Sequence, residues 1–176
     1  QAEIDKAPAE MKPTMNAILA HWFWQYFQAN RYRFMQRTQT SAPAGKDFTT
    51  WDLARIFAEI DKQLQKALSD ADVLKKTPVA KFDALLVKGN VPDAYRPTMY
   101  DFIANEALSF YNSGEQAGAR VQDAFDLAAE SPVFSSTNQF VNWKPASTDK
   151  GSPLLKAITL YQSLLKFHAD DDDRTA

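Results

Sequence analysis

The sequence predicts an all-α protein, an irregular multi-helix bundle or tetratricopeptide-like helical array with long crossover connections. Four segments repeat apolar residues at the three- and four-residue spacing of a helix face. Glycine and proline mark their boundaries rather than their interiors. Apolar residues make up 45% of the 176 positions and aromatics 12%, enough to build one domain with a real core and to exclude disorder for the body of the chain.

The first segment runs from about Pro13 to Phe34. Proline suits a first helical turn, where its missing N–H costs nothing. Met15, Ile18, Leu19, Trp22, Phe23, Trp24, Tyr26 and Phe27 cover most of the circumference, leaving a polar stripe at Thr14, His21, Gln25 and Gln28. A helix apolar nearly all round is a buried one, so this segment is expected to be the central helix. The second, about Trp51 to Ser69, has a single stripe of Leu53, Ile56, Phe57, Ile60, Leu64 and Leu68, with Glu59 and Asp61 away from it. It reads as an amphipathic surface helix, with Thr49 and Asp52 approximating a capping box.

The third segment, about Thr98 to Asn112, places Met99, Phe102, Ile103, Ala107 and Phe110 on one face. The fourth begins at Ser152, a helix cap, with Pro153 at the first helical position and His168 near its end. Residues 71–92 are expected to hold one or two short helices. Residues 113–151 contain Val121, Phe125, Phe134, Phe140 and Trp143 and are expected to pack over the helices. Residues 1–12 read as a poorly ordered or short N-terminal segment. Residues 169–176, with the run Asp170–Asp173, read as an acidic linker or the truncated start of a next helix. The whole is one helical domain.

Composition excludes several function classes. A net charge of -2 lacks the basic footprint of a nucleic-acid binder. Cysteine is absent, which excludes disulfides, thiolate zinc and a cysteine nucleophile. No apolar run approaches the ~20 residues of a membrane-spanning helix. Only His21 and His168 are available as imidazole ligands, and no metal, phosphate-cradling or nucleophile motif surrounds them. Both read as structural histidines. The carboxylate pairs Glu59/Asp61 and Asp123/Asp126 read as surface positions. The expectation is a non-enzymatic chain with no cofactor and no metal.

The aromatic run from His21 to Phe34 offers flat faces with polar tips, suited to a sugar or a peptide. Its periodicity places most of these rings in the core instead. Its end differs. Arg31, Tyr32, Arg33 and Arg37 form a basic, aromatic helix end, the candidate interaction surface.

Four stretches in order, residues 14–38, 47–61, 96–111 and 160–168, resemble the helical N-terminal region of large bacterial alpha-2-macroglobulin-family envelope proteins. The strongest pieces are the Trp/Tyr-rich first helix, Phe48-Thr49-Thr50-Trp51-Asp52-Leu53 and Arg96-Pro97-Thr98-Met99-Tyr100-Asp101. The resemblance implies an exported protein, periplasmic or at the cell surface, lipid-anchored through a segment outside this chain. It implies a helical scaffold or interaction module of a protease-inhibitor or defence protein. Its partners would be other domains of the same larger protein, proteases or envelope proteins. Without cysteine the chain cannot itself hold that family's thioester. The alternative is a helical glycan- or peptide-binding module using exposed aromatics among Trp22, Trp24, Tyr26, Trp51 and Trp143.

Overall fold

The computed structural model describes residues 1–37, 45–87, 90, 92, 95–119, 125–147 and 149–171. Val121, Asp123 and the tail from Asp172 onward lie outside them. The protein is all-α. Its helices are α1 (Ala2–Lys6), α2 (Lys12–Ala29), α3 (Arg31–Met35), α4 (Leu53–Leu68), α5 (Ala71–Leu74), α6 (Met99–Tyr111), α7 (Gln116–Ala119), α8 (Thr137–Asn142) and α9 (Pro153–Phe167). Short 3-10 turns occupy Ala9–Met11, Phe48–Thr50, Val79–Phe82 and Pro132–Phe134. No strand forms among the described residues. An isolated antiparallel bridge ties Pro78 to Thr98 at the entrance to α6.

The helix starts follow local chemistry. Ser152 caps α9, its hydroxyl accepting from the Leu155 N–H, with Pro153 in the first turn. Thr98 caps α6 in a full capping box. Its hydroxyl accepts from the Asp101 N–H, and the Asp101 carboxylate accepts back from the Thr98 N–H at 3.0 Å. At α4 the expected Thr49–Asp52 box does not form. Asp52 is itself the cap, accepting from the Arg55 N–H at 2.8 Å. Thr49 sits in the preceding 3-10 turn, bonded to Asp47.

The core helix is α6, not the expected Pro13–Phe34 segment. Nine of its 13 residues are buried, Met99, Ile103, Ala104 and Ala107 completely. Helices α4 and α9 each pack against it, and α2 packs along α4. The aromatic-rich segment breaks at Asn30 into α2 and α3. Its packed face is made of small residues, Ala17 and Ala20, followed by Phe27. Thr14 and Asn16, polar in sequence, are buried, while Trp22 stays 66% exposed. The cause is steric. Close approach to α4 favours alanines along the contact, and the large rings are displaced to its flanks.

Those flanking rings form one aromatic cluster across three helices. Trp24 stacks on Phe27 at 5.4 Å, and Phe27 meets the edge of Phe57 at 4.9 Å. Phe110 of α6 closes the group, 5.4 Å from Trp24 and 5.3 Å from Phe57. Each such pair is worth ~0.5–1.5 kcal/mol beyond the area it buries. Phe23 and Tyr26 extend the cluster to Phe48 and Trp51 in the turn before α4.

The long connections follow the same logic. Within 71–92, α5 and the turn at Val79–Phe82 bury Leu74 and Phe82. Within 113–151, α7 lies against α4, and α8 lies against α9. There the Gln162 side chain donates to the Phe140 and Trp143 carbonyls at 2.7 and 2.9 Å. At the start of the chain, α1 buries Ile4.

Candidate functional site

The basic helix end does not converge on a site. Arg31 Nε donates to Glu115 Oε1 at 2.5 Å. Arg37 donates to the carbonyls of Trp51 (2.5 Å) and Thr49 (2.7 Å), and its guanidinium lies over Phe34. Arg37 is therefore a tie to the turn before α4, while Arg31, itself exposed, pairs with the residue that precedes α7. Tyr32, 74% exposed, and Arg33 remain at the surface, with Met35 half exposed.

The candidate aromatic platform is likewise dispersed. Trp24, Tyr26 and Trp51 pack in or against the core, and Trp143 lies against Phe125. Trp51 also donates its indole N–H to the Gly45 carbonyl. Trp22 is the one of these five at an open surface.

Both histidines pair with carboxylates of α6: His21 with Glu106 at 3.0 Å, and His168 with Asp101 at 2.8 Å. Among the described residues, no cluster of histidine and carboxylate side chains is arranged to hold a metal ion. No described helix is long and apolar enough to cross a membrane.

A concave feature among the described residues lies elsewhere. Helices α4 and α9 both rest on α6 but scarcely on each other, so a groove runs between them. Ala54, Ala58, Asp61, Gln65 and Leu68 form its α4 wall, one stripe about 20 Å long at ~1.5 Å per residue. Its floor is α6, from Tyr100 to Tyr111. Midway, Lys156 Nζ of α9 meets Asp61 Oδ2 of α4 at 2.7 Å. This tie divides the groove into compartments of about 230 and 380 Å³. The larger falls in the ~300–1,000 Å³ range of small-ligand and peptide-anchor sites.

The tie is part of a network. Tyr111 donates its hydroxyl to Asp61 Oδ1 at 2.8 Å and accepts from Gln65 Nε2 at 3.0 Å. Burial, then the charge and hydrogen bond of Asp61, push the Tyr111 phenol far above its ordinary value. It is a fixed donor, not a base. With Tyr111 on one oxygen and Lys156 on the other, the Asp61 carboxylate is engaged at both ends and unsuited to abstract a proton.

Two expectations about carboxylates are corrected by these contacts. Glu59, expected at the surface, is 7% exposed and accepts from Gln63 at 2.5 Å, with Lys62 and Arg55 beside it. Asp61 faces the groove, not open solvent. Asp126 is exposed.

The larger compartment combines leucines with donors. Leu68, Leu155 and Leu160 supply apolar surface. The Tyr100 and Ser163 hydroxyls share a hydrogen bond of 2.7 Å, which sets a serine hydroxyl on the compartment wall. Lys150 stands at the rim, and no acidic residue lines this half. The sequence held a partial signal for it. Asp61, Gln65 and Leu68 continue one helical face, but nothing local pairs Asp61 with Lys156, 95 positions away. Compared with protein-family models, curated proteins and solved structures, the chain matches none.

Proposed function

We propose that this protein is a non-enzymatic interaction module whose α4–α9 groove holds an acidic, apolar segment of a partner protein. The observation that carries this reading is the lining of the larger compartment. Leucine side chains sit beside hydroxyl and ammonium donors, with no competing carboxylate. Apolar burial supplies affinity in such grooves, and a few placed polar groups fix register and specificity. Lys156 is already neutralised by Asp61, so Lys150 and the Ser163 hydroxyl are left to receive the acidic group.

The resemblance to the helical N-terminal region of bacterial alpha-2-macroglobulin-family proteins supports a setting for this role. In that setting the module is exported, and its partner is another domain of the same protein, an envelope protein or a protease. The resemblance rests on segment order and aromatic placement, and the groove proposal does not depend on it.

The test is an NMR titration of the chain with a short Leu/Glu peptide and with its Leu/Lys counterpart. The expected result is shift changes at Leu155, Thr159 and Ser163 with the Leu/Glu peptide only. Equal response to both peptides, no response, or changes centred on Trp22 and Tyr32 would overturn the groove as the binding surface.

A further inference from the structure

The last turn of α9 is held by a histidine whose two ring nitrogens both face carboxylates. His168 Nε2 lies 2.8 Å from Asp101 Oδ1, and Nδ1 lies 2.5 Å from Asp171 Oδ2. An ionised carboxylate only accepts, so each nitrogen has to donate, and the imidazolium is the form that satisfies both. Asp101 is 1% exposed, and its other oxygen already accepts from the Thr98 amide and hydroxyl. It therefore offers one fixed lone-pair direction toward α9. His168 also caps the C-terminus of α9, where the helix dipole favours a cation.

The surroundings are specific. The imidazole lies 4.6 Å from the Phe167 ring, which meets the edge of Tyr100 at 5.7 Å. Lys75, at the end of α5, holds its ammonium over both the Tyr100 and Phe167 rings. The charged groups around His168 are therefore Asp101 from α6, Asp171 from the turn after α9, and Lys75 behind the two rings. Lys166 and Asp170 are exposed sequence neighbours. Five residues back from His168 along α9, Ser163 bonds to Tyr100 of α6, and both line the larger compartment.

We propose that His168 is a protonation-gated latch on the groove: the imidazolium, bridging Asp101 and Asp171, holds the end of α9 on α6, and loss of its proton leaves one N–H for two carboxylates, which loosens that turn and opens the larger compartment. The regulatory half of this inference rests on the groove being the binding surface. The latch itself does not.

The direction of the gate follows from the contacts. Burial disfavours the charge. The hydrogen bonds to Asp171 and Asp101, with the charges of both, outweigh it, and His168 is held above the ordinary histidine value. A group raised on folding stabilises the fold fully below its unfolded value, near 6.5. That contribution is lost as pH rises through the raised value. The latch is closed in acid and opens on the alkaline side.

The test follows the His168 ring by NMR across the titration, using His168→Gln to assign its signal. The expected midpoint lies above the ordinary histidine value. Resonances of Tyr100 and Ser163 should move with it, and amide exchange in the last turn of α9 should accelerate above it. Asp171→Asn, on an exposed side chain, should lower the midpoint while leaving the fold intact. A midpoint at or below the ordinary value, or Tyr100 and Ser163 resonances that stay still, would overturn the latch. The Leu/Glu peptide then reads the gate. Its affinity should change at least about fivefold, the lower end of ordinary coupling, across the midpoint in the parent chain and not in His168→Gln. Equal affinity on both sides would overturn the regulatory claim. Absence of peptide binding at either pH, with the ring titrating as described, would locate the failure in the groove reading.

Discussion

Replacing Tyr111 with phenylalanine isolates one hydroxyl at the centre of the groove. The ring is 6% exposed and packs beside Phe110 at 5.6 Å, contacts that phenylalanine keeps. What is lost is the donor to Asp61 and the acceptor for Gln65. A hydrogen bond to a charged group is worth ~1.5–3 kcal/mol. Asp61 keeps Lys156, and its side chain is 28% accessible, so water compensates in part. Gln65 is exposed, so its amide is resolvated at little cost. The expected loss is therefore about 1.5 kcal/mol, the lower end of that range. For a urea slope of ~2 kcal/mol/M this moves the unfolding midpoint down by about 0.7 M. The same change in an Asp61→Asn background should cost no more than about half as much, because the charged acceptor is gone. An unchanged midpoint, or equal costs in both backgrounds, would refute the claim that Tyr111 and Asp61 act as a unit.

Three further outcomes follow from other contacts. Arg37→Ala should cost about 1–2 kcal/mol in urea unfolding, since it strips two carbonyl contacts between α3 and the turn before α4. Arg33→Ala, at an exposed position, should stay within about 0.5 kcal/mol, and comparable costs would contradict the different roles assigned to the two arginines. Trp22→Phe should remove most of the acrylamide-quenchable fluorescence, because Trp22 is 66% exposed whereas Trp51 is 7%; quenching that persists would place another indole at the surface. At Gly118 a Cβ would meet Leu53 Cδ2 at 3.2 Å. Gly118→Ala should therefore be near neutral in thermal unfolding and Gly118→Val should cost about 1–3 kcal/mol by overpacking, with equal effects counting against a close α7–α4 contact.

The sequence was most legible where local chemistry decides the outcome. Ser152-Pro153 marked the start of α9, and the apolar stripe from Leu53 to Leu68 marked α4, because caps and periodicity are short-range properties. Three-dimensional contacts decided what it misread. The Pro13–Phe34 segment looked central by its aromatic content. Burial instead followed the alanines that let α2 approach α4, and centrality went to α6. Glu59 looked solvated until Gln63, one turn away, was itself buried. Arg37 gave no local sign of its bond to the Trp51 carbonyl, fourteen positions away. The groove was least legible of all, because its two walls lie some 95 positions apart in sequence and meet through the Asp61–Lys156 pair.

The Asp61–Lys156 tie has a mechanical consequence. It fastens α9 near its N-terminus, three residues from Pro153 and twelve from His168. At ~1.5 Å per residue the two lever arms are about 4.5 and 18 Å. A rigid α9 tilting about that pivot moves its far end roughly four times as far as its near end, and in the opposite sense. Outward displacement at His168 is thus delivered to the smaller compartment as a slight inward press of Pro153. Such a tilt widens one half of the groove as it narrows the other.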